Sequence, residues 1–140
     1  SHKAKLFDTI EKRLERHPTT KVILYTPSAA RAEWTLKEAA YDVLDRVGTA
    51  GKYSIRTIVG DEGIMMKYDV IEAFSKSLDE PHPSGKVQMV IGTEAVDCGI
   101  SSNYCRTAMR DGPPASLVQI VQQMGRVARC HLPDEVNDIY

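Results

Sequence analysis

A parallel α/β sheet with helices on both faces is the fold class this sequence predicts, and three observations predict it. Short apolar runs rich in β-formers recur at residues 21–26 (KVILYT), 53–59 (YSIRTIV) and 87–93 (VQMVIGT). Between them lie longer stretches whose apolar residues repeat at helical spacing. The first run is continuously apolar over residues 22–25 instead of alternating, as expected of a strand covered on both faces. With 140 residues, 42% apolar and 26% charged, the chain has the size and composition of one globular domain that needs no disulfide or metal to stand.

The elements follow in order. Leu6, Phe7, Ile10 and Leu14 mark a first helix that must end near His17-Pro18, since proline disfavours helical backbone before it. Residues 21–26 form a buried strand between Thr19-Thr20 and Pro27. Ser28 can cap the next helix, whose stripe is Leu36, Ala39, Ala40, Val43, Leu44 and Val47, with Gly48 and Gly51 closing it. Residues 53–59 are a second strand and 60–63 (GDEG) a turn. Ile64, Tyr68, Ile71, Phe74 and Leu78 then set out a third helix, and 79–86 (DEPHPSGK) is a loop. Residues 87–93 are the third strand, 105–109 a weaker fourth, 116–129 a helix and 137–140 a last strand. Ligands of such sheets gather at the strands' carboxyl ends, which draws attention to the segments after Thr26, Val59, Thr93 and Met109.

Charge and cysteine usage exclude several classes. A net charge of −1 argues against a dedicated polyanion-binding module, although a local cluster can act within a neutral total. No apolar run approaches the roughly 20 residues of a membrane span, and no signal-peptide pattern opens the chain. Three cysteines without paired spacing point to a reducing, intracellular setting. Cys98, Cys105, Cys130 and His131 lack the spacing of a zinc site, so no metal is expected. Ser1-His2 reads as a cloning remnant. Asp61-Glu62 and Asp79-Glu80 read as solvated turn acids, and Lys12, Arg13 and Arg16 as a basic helix end that suits the helix dipole. Trp34 and Tyr41, seven apart, could stack on bases but read better as core or partner surface; Met65, Met66 and Met89 read as apolar filler.

Residues 116–129 (SLVQIVQQMGRVAR) are the most informative stretch. Ser116 followed by Gln119 forms a capping-box pattern that sets the helix start. At ~100° per residue, Leu117, Ile120, Val121, Met124, Val127 and Ala128 share one side, and Gln119, Gln122, Arg126 and Arg129 the other. Arginines three apart on a helix project together and can grip one anion. A plain solvated face would mix charge signs. It would also leave Gly125 unexplained, because glycine costs about 1 kcal/mol relative to alanine inside a helix.

Residues 122–129 (QQMGRVAR) resemble motif VI of superfamily 2 helicases, Q-x-x-G-R-x-x-R. Residues 91–100 (IGTEAVDCGI) resemble motif V, residues 21–28 resemble motif IV, and Ile58-Val59-Gly60 with its following helix matches the next family element. Residues 111–116 (DGPPAS) are most similar to the RecQ-type branch, although Val127, Ala128, Cys130 and His131 depart from its motif VI and Ser101 stands where many relatives carry Asp or Asn. The order and spacing agree from about residue 5 to residue 140.

The resemblance implies a three-layer, RecA-like fold of the P-loop NTPase type, with residues 1–140 forming a single C-terminal, second RecA-like domain. It implies that Arg126 and Arg129 act as arginine fingers toward ATP, with Gln122, Gly125 and Gly99 near the nucleotide. Thr93 and Ser28 would contact the nucleic-acid backbone, with DNA the expected substrate over RNA. The resemblance adds the expectation of a nuclear location if the source is eukaryotic. The chain has no G-x-x-x-x-G-K-[ST] loop and no acidic pair placed after a strand. ATP's phosphates and Mg2+ would therefore be held by an N-terminal RecA-like lobe of the parent chain, and this lobe alone would be inactive. The alternative is a RecA-like fold kept as a non-catalytic binding or scaffold module. A doubly wound nucleotide-binding or methyl-transfer enzyme would need a glycine-rich turn after the first strand, which residues 26–30 (TPSAA) lack.

Overall fold

A computed structural model describes residues 2–60, 64–93, 104–111 and 138–139. Its elements are α1 (His2–Arg16), β1 (Lys21–Tyr25), a π-helical turn (Arg31–Leu36) running into α2 (Lys37–Val47), β2 (Ser54–Ile58), α3 (Ile64–Ser75), β3 (Val87–Gly92), β4 (Cys105–Arg110) and β5 (Asp138–Ile139). The described strands form one sheet in the order β2-β3-β1-β4-β5, with every pair parallel. β1 and β3 lie in register, Tyr25 opposite Gly92, so their carboxyl ends finish together.

Alternate residues of β1 serve two cores. Val22 and Leu24 join Leu6, Ile10, Leu14, Leu36, Ala40 and Leu44 under α1 and α2. Ile23 and Tyr25 join Ile58, Val70, Ala73, Phe74 and Val90 under α3. Both faces of the strand are thus apolar and covered, which is why its sequence does not alternate. The predicted three-layer α/β architecture is the one observed.

Three details differ from the sequence reading. The second helix opens with a π-helical turn that periodicity did not foresee. The predicted stripe of the third helix holds in part: Phe74 and Leu78 are buried and Ile71 packs against the core, but Tyr68 is 59% exposed, and Val70 and Ala73 complete the buried face. Met65 and Met66, in the first turn of α3, are exposed instead of filling a core as Met89 does. Trp34 is 76% exposed, which removes it from the core.

Lys21 is fully buried at the start of β1. Its Nζ donates to Val87 O at 2.7 Å and Ala73 O at 3.4 Å and lies 5.0 Å from the centroid of the Phe74 ring. Desolvation lowers its pKa from the ordinary 10.5 to about 8. No helix among the described residues is long and apolar enough to cross a membrane.

Candidate nucleic-acid interface

The carboxyl edge of the sheet is organised around the exit from β1. Thr26 continues the strand ladder, donating its N–H to Gly92 O at 2.9 Å, and the chain then turns through Pro27 into the helix. Ser28 caps that helix: its Oγ accepts the Arg31 N–H at 3.1 Å, and its carbonyl accepts the Ala32 N–H at 3.0 Å. A serine hydroxyl that accepts the cap bond still has its own hydrogen to donate. The N–H groups of the first turn, at Ala29 and Ala30, have no intrahelical acceptor. Together they offer donors where the helix dipole is positive.

Thr93 lies on the same edge. Its N–H donates to Ile58 O at 3.2 Å, which holds it at the tip of β3, beside the Thr26 end of β1. Two sequence-predicted backbone contacts, Ser28 and Thr93, are therefore brought to one rim by neighbouring parallel strands.

The network that fixes this rim was not read from the sequence. Asp111, directly after β4, is 6% exposed and accepts from Arg31 Nη2 at 3.0 Å, from Arg31 Nε and from Thr26 Oγ1 at 3.1 Å. Its own N–H donates to Tyr25 O at 2.7 Å, and Thr26 Oγ1 accepts the Ser28 N–H at 3.4 Å. The bond to Asp111 raises the Arg31 pKa further above its ordinary value. On the other flank of the π-helical turn, Thr57 Oγ1 donates to Glu33 Oε1 at 2.7 Å, tying the helix to β2. The available signal was an acid immediately after a strand and an arginine one turn past a helix cap, two features 80 residues apart that only strand order brings together.

Gln122, Gly125, Arg126, Arg129 and Gly99 lie outside the described residues, as does the predicted helix over 116–129. Among the described residues no group of three or more His, Cys, Asp or Glu side chains could hold a metal ion. The surface clefts lined by Leu14, Arg46 and Gln88 and by Phe7, Asp42 and Arg46 adjoin α1 and α2, away from this rim.

Residues 4–131 match the family described as the helicase conserved C-terminal domain. Domain 2 of the DEAD-box helicase Mss116p, solved bound to an RNA duplex, shares 13% identity and a TM-score of 0.69 over 99% of this chain and 48% of its own. Mycobacterium smegmatis helicase Lhr, solved with ssDNA and AMP-PNP, shares 18% identity and a TM-score of 0.66 over 93% of this chain and 16% of its own. The Pyrococcus furiosus Hef helicase domain shares 19% identity and a TM-score of 0.57, over 99% and 25% respectively. At such identities these likenesses are of fold, and the chain spans less than half the length of each structure. No curated protein sequence matches the chain significantly. The match over residues 4–131, on a parallel sheet with the fold of these helicase domains, means that the chain belongs to the helicase conserved C-terminal domain family.

Proposed function

We propose that this chain is the C-terminal motor lobe of an ATP-dependent nucleic-acid helicase or translocase. In this reading, Ser28 and Thr93 hold the strand's phosphates, and Arg126 and Arg129 reach across an interlobe cleft toward ATP, with Gln122, Gly99 and Gly125 beside the nucleotide. The nucleotide's phosphates and Mg2+ sit on an N-terminal RecA-like lobe of the parent chain. The observation that carries the reading is the shared rim: the cap at Ser28 follows the carboxyl end of β1 and Thr93 that of its parallel neighbour β3, so donors for a polyanion gather on one edge of the sheet. Support also comes from the ordered motifs that end in residues 122–129. Arginines aimed at a transferring phosphoryl group stabilise the charge that spreads over it, an effect worth ~10³–10⁵ in rate.

The contacts at Ser28 and Thr93 are to backbone phosphate, so the substrate class is nucleic acid, with DNA the first to test and RNA beside it. One of the similar domains is described with an RNA duplex and another with ssDNA, which favours neither. The family match and these neighbours lend no support to the RecQ-type branch suggested by residues 111–116, and the proposal does not use it.

The test is Arg126→Ala and Arg129→Ala in the full-length parent, scored for nucleic-acid-stimulated ATP hydrolysis and, separately, for nucleic-acid binding. Hydrolysis lost with binding kept is the expected result; unchanged hydrolysis rejects the finger role.

A further inference from the structure

The outward side of the helix after β1 carries a stripe that the proposed strand-binding rim does not use. Ala32, Leu36, Ala40, Val43 and Leu44 are buried. Diametrically opposite, at intervals of four, three and four, stand Trp34, Glu38, Tyr41 and Asp45, all exposed. Trp34 is the chain's single tryptophan and is 76% exposed. Tyr41 is 40% exposed, with its hydroxyl donating to Ile55 O of the edge strand β2 at 3.4 Å, so its ring is held along the surface. The stripe runs about 16 Å at 1.5 Å per residue.

An indole this open has no structural task, and its backbone is nonetheless fixed on both flanks. The π-helical turn that presents it is pinned by Arg31 to Asp111 on one side and by Glu33 to Thr57 on the other. π-helical turns inside helices concentrate at functional sites.

The charges along the stripe select the occupant. Glu38 and Asp45 alternate with the two aromatics and Asp42 is exposed beside them; against these three acids stand Lys37 and, at the far end, Arg46, which is paired with Glu11 and also feels Asp42 and Asp45, so the stripe is acidic on balance. Phosphates would be repelled here, which argues against a nucleic-acid strand stacking its bases on Trp34. A guanidinium fits on both counts. It stacks on an indole or phenol face and donates in a fork to a carboxylate. Trp34 with Glu38, and Tyr41 with Asp45, each place an aromatic and an acid four residues apart on one helical side, where such neighbours meet.

We infer that this stripe is a docking surface for an arginine-bearing segment of a partner protein, with guanidinium groups stacked on Trp34 and Tyr41 and paired with Glu38 and Asp45. The surface lies on the helix's outer side, so it does not depend on the nucleic-acid reading of the rim.

The single tryptophan makes the test direct. The 140-residue chain is titrated with an arginine-bearing amphipathic peptide, its citrulline counterpart and a single-stranded oligonucleotide, following Trp34 fluorescence. The arginine peptide should change the emission saturably and bind at least about tenfold more tightly than the citrulline peptide. Trp34→Ala, with affinity followed by a label on the peptide, should weaken binding roughly 3- to 30-fold, the range of one cation–π contact. Glu38→Lys should weaken the arginine peptide and restore binding of a peptide carrying glutamate instead. Trp34 and Glu38 are exposed, so neither change should alter the unfolding midpoint. Equal binding of the arginine and citrulline peptides overturns the proposal, as does no binding up to millimolar peptide. So does an oligonucleotide that quenches Trp34, which would assign the surface to nucleic acid.

Discussion

Arg31 and Asp111 form a two-pronged ion pair that joins the helix after β1 to the exit of β4, although 80 residues separate them in the chain. The pair is unequal: the Asp111 side chain is 6% exposed and that of Arg31 37%. Breaking it should therefore cost different amounts from the two ends. Arg31→Ala takes from a buried carboxylate its charged, two-pronged partner, leaving the Thr26 hydroxyl among its supports. Asp111→Ala leaves a guanidinium that can turn to water. Because one partner is more than a third exposed, solvent screening keeps the cost below that of a fully buried pair. We expect about 2–3 kcal/mol for Arg31→Ala and about 1–2 kcal/mol for Asp111→Ala, with the double variant close to the second. Urea unfolding of the four proteins gives the comparison. A larger loss from Asp111→Ala would mean that the aspartate's work is mainly with Thr26.

Lys21 predicts an unusual pH profile. Its folded pKa is about 8, against 10.5 for the unfolded chain, and desolvation is the main cause. Between those values the unfolded state holds more protons than the native state, so stability rises with pH across pH 8–10.5. Below pH 8 the charge is present in both states and its burial penalty is complete, about 3 kcal/mol from the pKa difference. Lys21→Met removes the charge while filling similar space. It also removes the donor to Val87 O, which offsets part of the gain, so we expect the variant to be about 1–2 kcal/mol more stable at pH 7. That advantage should vanish and then reverse as pH rises toward 10.5, because the parent gains about 3 kcal/mol over the same range while the variant does not. Stability curves for the two proteins that run parallel from pH 7 to 10.5 would exclude this account.

Gly48 ends α2 in the left-handed region at φ 85°, its N–H donating to Asp45 O and Leu44 O. A Cβ there would meet nothing within 4 Å, so the cost of Gly48→Ala is one of backbone conformation alone. It should be about 1 kcal/mol, read from the shift in the denaturant midpoint at constant slope. A negligible change would show that the C-terminal turn of α2 refolds into another termination.

The layout of the sheet was legible in the sequence because buried parallel strands cannot hide. Residues 21–26, 53–59 and 87–93 each overrun their observed strands by only one or two residues. The phase of α3 was legible in part: Ile71, Phe74 and Leu78 pack as read, but the abundance of apolar residues offers more than one plausible stripe, and only tertiary packing selects Val70 and Ala73 over Tyr68. Of the candidate site, Ser28 and Thr93 were readable as a cap and a strand tip, which are local features. Asp111 was not, because its partners Arg31 and Thr26 are set by β4 lying beside β1 and no local pattern encodes that adjacency. The π-helical turn was hidden for a related reason: its anchors to Asp111 and Thr57 are both long-range.

Ser28 offers a way to separate folding from binding. The residue caps the helix through Oγ, and in the proposed function it also seats a phosphate. Ser28→Ala would confuse the two roles, since losing the cap costs about 1 kcal/mol by itself. Ser28→Asp does not, because aspartate caps as well as serine and its charge suits the helix N-terminus. Stability should therefore stay within about 0.5 kcal/mol of the parent. A carboxylate at the seat repels phosphate, however, and removes a hydroxyl donor, so affinity for single-stranded DNA or RNA should fall about tenfold or more at low salt. Anisotropy titrations at several salt concentrations, run beside a thermal melt, give both readouts. An unchanged affinity together with an unchanged melt would place the strand elsewhere on the rim.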